Sequence, residues 1–228
     1  MRYTFTLLLL ITMPQSITAK DHVVLLHGLC RSPSSMNRMA EALDNEGYTV
    51  HNIDYESRHH NIETLSKDVR KQIVEGTVAA TQIHFVTHSM GGILVRQIQA
   101  TEPIENIGRV VMLSPPNQGS EVADKIGHWW LYKKINGPAG QQLGTNHESI
   151  PKQLGPIDFD CAVITGDRSI NWINSLMIPG KDDGKVSTTN SRIEGITAHK
   201  VHHVTHPYIM KRKAVIDDVI RFLKAGKF

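Results

Sequence analysis

The sequence predicts an α/β fold, with a mostly parallel sheet and helices on both of its faces. Short apolar runs rich in β-branched residues alternate along the chain with segments whose apolar residues recur at helical spacing. Strands and helices that alternate in this way form parallel, doubly wound sheets. The 228 residues, 40% of them hydrophobic and 21% charged, are enough for one domain with a substantial core.

Each strand is predicted from a short apolar run bounded by polar or turn-forming residues. In chain order, the predicted strands are residues 22–26, 48–53, 83–87, 109–113, 159–165 and 199–205. The predicted helices are residues 36–43, 64–74 and 91–100, and a terminal amphipathic helix that carries Val215, Val219, Ile220 and Leu223. Ser34 or Ser35 can cap the first helix, which Gly47 closes, and Thr64 opens the second.

Residues 119–155 interrupt this alternation. They are rich in Gly, Pro and Gln, and they contain Trp129 and Trp130. We expect a short lid-like insertion over one end of the sheet. The two tryptophans are expected either to line an acyl pocket or to belong to the core.

The amino-terminal segment differs from the rest of the chain. A positive charge, an apolar stretch and then small residues follow one another within residues 1–19, which is the order of a secretory signal peptide. The apolar stretch is too short for a permanent membrane anchor. We therefore expect cleavage after Ala19, a mature domain of residues 20–228, and export to the periplasm or out of the cell.

Charge and cysteine content limit the partners. The formal charge of +3, from 25 basic and 22 acidic residues, is too even to indicate nucleic acid. The thirteen histidines form no Cys/His cluster typical of a zinc site, so we predict no metal and no cofactor. Export would place Cys30 and Cys161 where a disulfide is permitted, but we favour two small buried thiols.

Ser89 lies between a strand and a helix with almost no loop to join them. The strand over residues 83–87 must turn sharply into the helix over residues 91–100, and Gly91 and Gly92 permit their close approach. A turn of this kind is a nucleophile elbow, which presents a serine Oγ above the sheet. A helix that Ser89 merely caps is the alternative interpretation.

Further polar residues are expected at the same carboxyl edge of the sheet. The chain order is Ser89, an acidic loop with Asp182 and Asp183, and then His206, as in Ser-His-Asp hydrolases. The serine hydroxyl needs a base to take its proton, and a carboxylate must orient that base. His206 can be the base, whereas Asp182, Asp183 and Asp167 are all candidate acids at this point.

A tetrahedral oxyanion needs two preorganised N–H donors. We expect one from the backbone of Met90, directly after Ser89. The other is expected from Leu29, where Gly28 lets the backbone approach closely. His88 is expected to shape the pocket rather than to act as the base.

Four segments in order resemble the bacterial lipase/esterase branch of the α/β-hydrolases: V-V-L-L-H-G-L, V-T-H-S-M-G-G, D-D-G-K-V-S and V-T-H-P-Y-I-M. The resemblance spans roughly residues 23–223 and implies the α/β-hydrolase fold. It also implies Ser89 as nucleophile, His206 as base and Asp183 as acid, since Asp183 directly precedes a glycine as in that branch.

Two residues depart from the pattern of that branch. Thr87 stands where its elbow has the first glycine, which leaves the chemistry intact. Tyr208 stands two residues after the histidine, where larger secreted lipases of this kind carry a calcium-binding aspartate. Calcium dependence is therefore not expected.

The sequence thus predicts an exported serine hydrolase that cleaves carboxylic esters through an acyl-enzyme, with a small-molecule or lipid ester as substrate. Two alternatives stay open: an acyltransferase with the same triad, and a catalytically silent binding protein with a hydrolase fold. Contact with a membrane surface also stays open, and nucleic acid is not an expected partner.

Overall fold

The computed structural model describes residues 21–127, 129–170, 175 and 178–228. The predicted signal peptide, residues 1–19, lies outside the described residues. The strands are β1 (His22–Leu26), β2 (Thr49–Ile53), β3 (Ile83–His88), β4 (Ile107–Leu113), β5 (Cys161–Gly166) and β6 (Ala198–His202). They form a sheet of order β2-β1-β3-β4-β5-β6, in which all neighbouring strands are parallel.

Helices connect the strands and close the chain. They are α1 (Asn37–Asn45), α2 (Ile62–Gly76), α3 (Met90–Thr101), α4 (Glu121–Ile126), α5 (Trp130–Gln141), α6 (Ile150–Gln153) and α7 (Lys213–Ala225). Two 3-10 turns, Pro33–Met36 and His206–Lys211, precede α1 and α7. Neither Ser34 nor Ser35 caps α1, because the chain enters it through the first of these turns.

Side chains alternate across the sheet, so that helices cover both faces. In β1, Val24 and Leu26 pack with α2 and α3, whereas Val23 and Leu25 pack with α1 and α7. All four side chains are fully buried. The predicted parallel sheet with helices on both faces is confirmed.

Hydrogen bonds explain two of the boundaries that differ from the predicted ones. α2 begins ahead of Thr64 because Asn61 Oδ1 accepts the Thr64 N–H at 2.9 Å and caps the helix. β6 ends at His202, short of Thr205, because the Val204 N–H turns back to the His202 carbonyl at 2.8 Å. The chain therefore leaves the sheet before it reaches the predicted base.

Both cysteines are free thiols. Cys161 is buried in β5, as expected, whereas Cys30 is exposed in the loop after β1. Among the described residues, no helix combines the length and the apolar character that crossing a membrane requires.

Candidate active site

Ser89 lies at the turn between β3 and α3, at the carboxyl edge of the sheet. Its backbone has φ 54° and ψ −122°, in a region that non-glycine residues rarely adopt. Backbone hydrogen bonds hold this turn, from Ser89 N–H to the Leu113 carbonyl (2.8 Å) and from Gly92 N–H to the Ser89 carbonyl (3.0 Å). The Ser89 side chain makes no capping hydrogen bond to α3, so the alternative interpretation as a helix cap is wrong.

Glycines at the elbow let α3 pack directly on β1. A Cβ at Gly91 would lie 2.7 Å from the Leu26 carbonyl oxygen and 3.0 Å from that of His27. These are backbone atoms, which cannot move aside without shifting the strand. A Cβ at Gly92 would lie 3.3 Å from Thr87 Oγ1, so the threonine that departs from the family pattern packs against this glycine.

A buried carboxylate contacts His206. The Asp183 Oδ2 lies 2.8 Å from His206 Nδ1, and the Asp183 side chain is fully buried. Its other oxygen, Oδ1, accepts the N–H groups of Lys185 (3.1 Å) and Val186 (3.0 Å). A carboxylate acceptor at Nδ1 keeps the proton of the neutral imidazole there, which leaves Nε2 as the basic nitrogen.

The other two candidate acids have different partners. Asp167 Oδ1 lies 2.9 Å from Nδ1 of His203, which is exposed. Asp182 Oδ1 accepts the Gly184 N–H at 2.7 Å and the Ser175 hydroxyl at 2.9 Å. The structure thus brings Asp183, and neither Asp167 nor Asp182, to His206.

His88 directly precedes Ser89 and contacts His206. Its Nε2 lies 3.1 Å from the His206 carbonyl oxygen, and the two ring centroids are 4.8 Å apart. Burial, followed by the charge of His206, lowers the pKa of His88 well below its ordinary value. The ring is therefore neutral, and its Nε2–H donates to that carbonyl. This hydrogen bond helps to position His206, as expected of a residue that shapes the pocket.

The backbone N–H groups of Leu29 and Met90 make no hydrogen bond to any described residue. They are therefore free to act as donors to a ligand. Gly28 places Leu29 close to the elbow, because a Cβ there would lie 2.7 Å from His88 Nδ1 and 3.1 Å from Ser89 Cβ. Only glycine fits at this point without displacing buried side chains.

Tyr55 is a neighbour of the site that the sequence analysis missed. Its ring stacks on that of His27 with centroids 4.1 Å apart, and its hydroxyl donates to the His27 carbonyl. Burial lowers the pKa of His27 and raises that of Tyr55, so both side chains are neutral. The pair holds the end of β1 directly before Gly28. Tyr55 lies just after β2, at the same edge of the sheet, and this position could have predicted that it is near the site.

Ser89 and His206 line one cavity of about 270 Å³, called the Ser89 cavity below. The sheet edge and its loops contribute Leu29, Cys30, Arg31, His88, Ser89, Pro116, Lys185, Val186 and His206 to its lining. The segment over residues 119–155 contributes Ser120, Val122, Tyr132, Ile135, Asn136 and Leu143. The expected position of the insertion, over one end of the sheet, is therefore confirmed.

Neither expectation for Trp129 and Trp130 is correct. The two side chains are 57% and 72% exposed, so they are not part of the core. They are also absent from the lining of the Ser89 cavity. The reason is the orientation of α5, which turns Tyr132 and Ile135 to the cavity and leaves its first turn in solvent.

The described residues contain no group of three or more His, Cys, Asp or Glu side chains that could hold a metal ion. Both histidines of β6 have partners, since His202 Nε2 lies 2.8 Å from Asp218 Oδ2 of α7 and His199 Nε2 lies 3.0 Å from Thr165 Oγ1. Arg96 is buried in α3 and donates to main-chain carbonyls rather than to a carboxylate; the acceptors are those of Asn117, Pro151 and Gly155.

Comparison with known proteins identifies relatives. A family model described as palmitoyl protein thioesterase matches residues 22–151. A triacylglycerol lipase of Pseudomonas fragi is 29% identical over 121 residues, which are 50% of this chain and 41% of the lipase. The match therefore spans less than half the length of that relative.

Solved structures share the fold at low sequence identity. The mature form of the Bacillus licheniformis lipase BlEst2 superposes with a TM-score of 0.70 at 21% identity, covering 92% of this chain and 94% of the lipase. The metagenomic carboxyl esterase MGS0156 gives 0.66 at 14%, with coverage of 92% and 77%. Phospholipase PlaB from Legionella pneumophila gives 0.62 at 16%, with coverage of 76% and 46%. The chain thus has the α/β-hydrolase fold.

Proposed function

The chain belongs to the palmitoyl protein thioesterase family, and from this premise we propose that it is a serine hydrolase that cleaves carboxylic esters or thioesters of acyl chains. In this proposal Ser89 is the nucleophile, His206 the general base and Asp183 the acid that orients it. The observation that carries the proposal is the buried hydrogen bond between His206 Nδ1 and Asp183 Oδ2, in the cavity that Ser89 also lines.

The proposed reaction has two steps. Ser89 Oγ attacks the acyl carbonyl while His206 Nε2 takes its proton, and His206 then returns this proton to the leaving alcohol or thiol. Asp183 stabilises the imidazolium that forms between these events. The N–H groups of Leu29 and Met90 bind the oxyanion of each tetrahedral intermediate. Water then attacks the acyl-enzyme and gives a proton to His206. The bond between Ser89 Oγ and the acyl carbon breaks, His206 returns the proton to Ser89 Oγ, and the free acid leaves.

An apolar acyl chain fits the wall that the insertion contributes. Val122, Ile135 and Leu143 present apolar side chains to the Ser89 cavity, and burial of each methylene of a substrate against such a wall contributes about 0.8 kcal/mol. The names of the relatives, a triacylglycerol lipase and a family of palmitoyl protein thioesterases, also favour a lipid or other acyl substrate.

We further propose that the first turn of α5 contacts a lipid surface. Trp129, Trp130 and Leu131 are exposed there, and Lys133 and Lys134 follow them. Tryptophan and lysine together suit the boundary between lipid headgroups and water. Ile135 joins this exposed face to the Ser89 cavity, so a substrate could pass from lipid to the cavity without crossing bulk water.

Export completes the proposal and rests on the residue order within positions 1–19. The amino terminus of the mature protein should begin near Lys20. Intact mass of protein recovered from outside the cytoplasm tests this, and retention of Met1 in that material would contradict it.

A fluorophosphonate probe tests the triad directly. Wild-type protein should be labelled at Ser89 and should hydrolyse an activated short-chain ester. The Ser89→Ala variant should fold, as circular dichroism would show, but should neither be labelled nor turn over the ester. Equal labelling of both proteins would mean that another residue is the nucleophile. Failure of folded wild-type protein to react would favour the silent binding protein.

Contact with lipid is tested by sedimentation with vesicles. The Trp130→Ala variant should bind anionic vesicles more weakly than wild type, because it loses one interfacial aromatic side chain. Val78→Ser, at an exposed apolar position far from α5, is the matched control and should bind as wild type does. Equal binding by all three proteins would remove α5 from the proposal.

A further inference from the structure

Cationic side chains at the Ser89 cavity have no assigned role in the proposed reaction. Arg31 and Lys185 both belong to its lining, and each comes from a loop at the sheet edge. Arg31 follows the proposed oxyanion donor Leu29 closely in the chain, and Lys185 lies in the loop that carries Asp183. The two positive charges therefore reach the cavity from two separate segments.

These charges have no carboxylate partner in the lining of the cavity. No Asp or Glu is among the described residues that line the cavity. Both side chains are exposed, so each is free to reach a nearby carboxylate. Within the described part of the chain, however, neither Arg31 nor Lys185 forms an ion pair with a carboxylate. A cleft lined by charges of one sign, with low-dielectric walls, concentrates ligands of the opposite sign.

A third cation, Arg58, lies near the same point. The charges of Arg58, Lys185 and Arg31 all act on the thiol of Cys30, which also lines the cavity; burial nevertheless raises the pKa of that thiol overall. The backbone of Arg58 lies close to α5, because its carbonyl oxygen would lie 1.8 Å from a Cβ at Gly137. Three cationic side chains therefore act on one residue of the cavity lining.

We propose that the preferred substrates carry an anionic group, a phosphate or a carboxylate, on the alcohol or thiol half next to the scissile bond, and that Arg31 and Lys185 bind it. This inference rests on the proposed function. The apolar residues of the insertion, Val122, Ile135 and Leu143, line the same cavity and offer an apolar surface to the acyl chain. In this proposal the acyl half contacts these side chains, and the anionic half contacts Arg31 and Lys185.

Substrates that share one acyl chain test the inference. The first set places this chain on glycerol, glycerol phosphate or choline, which make the leaving half neutral, anionic or cationic. The second set compares the thioesters of N-acetylcysteamine, which is neutral, and coenzyme A, which is anionic. Monomeric concentrations are used throughout, so that lipid aggregation does not contribute. Preference within the first set identifies a phospholipid-type anion, and preference within the second identifies a nucleotide thioester.

The measured quantity is the ratio of kcat/KM for the anionic and the neutral member of a set. Wild type should favour the anionic member, and the ratio should fall with added salt because the charges are partly exposed. In the double variant Arg31→Gln/Lys185→Gln, the ratio should fall about tenfold, at about threefold for each partly exposed charge contact. The variant Arg38→Gln/Lys71→Gln removes two exposed charges outside the cavity lining and should keep the wild-type ratio.

The same ratio separates binding of an anion from general stabilisation of the oxyanion. If the two cations acted only on the oxyanion, the double variant Arg31→Gln/Lys185→Gln would have an equally lowered kcat for neutral and anionic substrates. That result would overturn the inference. Equal kcat/KM values of the wild-type enzyme for the neutral and the anionic esters would also overturn the inference. The proposed function would stand in that case.

A binding measurement distinguishes failure of the inference from failure of the proposed function. Calorimetry on the Ser89→Ala protein, with the glycerol and glycerol phosphate esters, reports affinity without turnover. Tighter binding of the anionic ester that depends on Arg31 and Lys185 supports the inference even if wild type proves inactive, in which case only the proposed function fails. Equal affinity for the two esters counts against the inference.

Discussion

The two walls of the Ser89 cavity are built in different ways. At the sheet wall, the groups proposed to carry out the chemistry are buried and held by short hydrogen bonds, such as Asp183 with His206 and His88 with the His206 carbonyl. The insertion wall includes α5, in which Gly137 breaks the helical geometry with φ 64°. The first turn of this helix lies in solvent outside the cavity lining, with Trp130 72% exposed. We infer that the sheet wall determines the chemistry, whereas the insertion wall determines which acyl groups enter.

Arg96 marks the border between the two walls. It projects from α3 of the sheet wall and donates to the carbonyls of Asn117 (3.0 Å), Pro151 (3.0 Å) and Gly155 (2.7 Å), which flank α4, α5 and α6. Burial lowers its pKa to about 10, so the guanidinium stays charged at neutral pH. The insertion is thus attached at both ends by a buried charge, while its middle, α5, is left in contact with solvent.

The largest expected effect concerns the acid of the sheet wall. Asp183→Asn should lower kcat about 10⁴-fold, because an amide can neither hold the required tautomer of His206 nor stabilise its charged form. Asp167→Asn is the matched control, since its carboxylate contacts the exposed His203, and it should lower kcat by less than about tenfold. Steady-state kinetics on both variants, with folding checked by circular dichroism, measures this difference. An inactive Asp167→Asn with an active Asp183→Asn would make the acid assignment wrong.

A smaller loss of kcat is expected when a single methyl group is added at Gly28, behind the proposed oxyanion donors. Gly28→Ala should lower kcat about 10²-fold, because the new Cβ would meet His88 Nδ1 at 2.7 Å and displace the Leu29 N–H. Gly76→Ala, at the end of α2, where the nearest atom would be His51 Nδ1 at 3.2 Å, should leave kcat unchanged. Unchanged kcat in Gly28→Ala would mean that the loop after β1 has more freedom than its packing indicates.

Acidic pH should destabilise the fold through the buried histidines of the sheet edge. Burial lowers the pKa of both His27 and His88, so the unfolded chain binds more protons than the folded one once the pH falls below the ordinary histidine value of 6.5. The free energy of unfolding should therefore decrease as the pH falls, by up to about 1.4 kcal/mol per pH unit for each of the two histidines. Urea unfolding at pH 7 and pH 5 measures this change.

The control for that measurement is His59→Gln, at an exposed position, which should have the same pH dependence as wild type. A free energy of unfolding that stays constant, or rises, between pH 7 and pH 5 would contradict the assignment of neutral, buried rings to the sheet wall.

The smallest effect is expected at the insertion wall. Leu143→Ala enlarges the apolar side of the Ser89 cavity, so the preference for long over short acyl chains should shift by about 10-fold or less in kcat/KM. Activity on the shortest ester should stay close to that of wild type, because this change does not touch the sheet wall. A loss that is uniform over all chain lengths would show that the insertion also supports the chemistry.

Local patterns in the sequence were sufficient for the sheet and for the turn at Ser89. The alternation of apolar runs and helical segments predicts the parallel sheet, and the strand, turn and glycines around Ser89 predict the elbow. They suffice because strand and helix periodicity and close glycine packing are short-range properties of neighbouring residues. The motif resemblance added Asp183 as the implied acid of His206, and the structure places the two side chains within hydrogen-bond distance.

The partners of side chains far apart in the chain were decided only by the tertiary structure. Tyr55 stacks on His27, and Arg96 donates to three carbonyls, although no local pattern relates these segments. The first turn of α5, with Trp130, is left in solvent for the same reason. The expectations for Trp129 and Trp130 were wrong for this reason. A helix periodicity shows that one face is apolar, but burial of that face depends on what the rest of the chain packs against it.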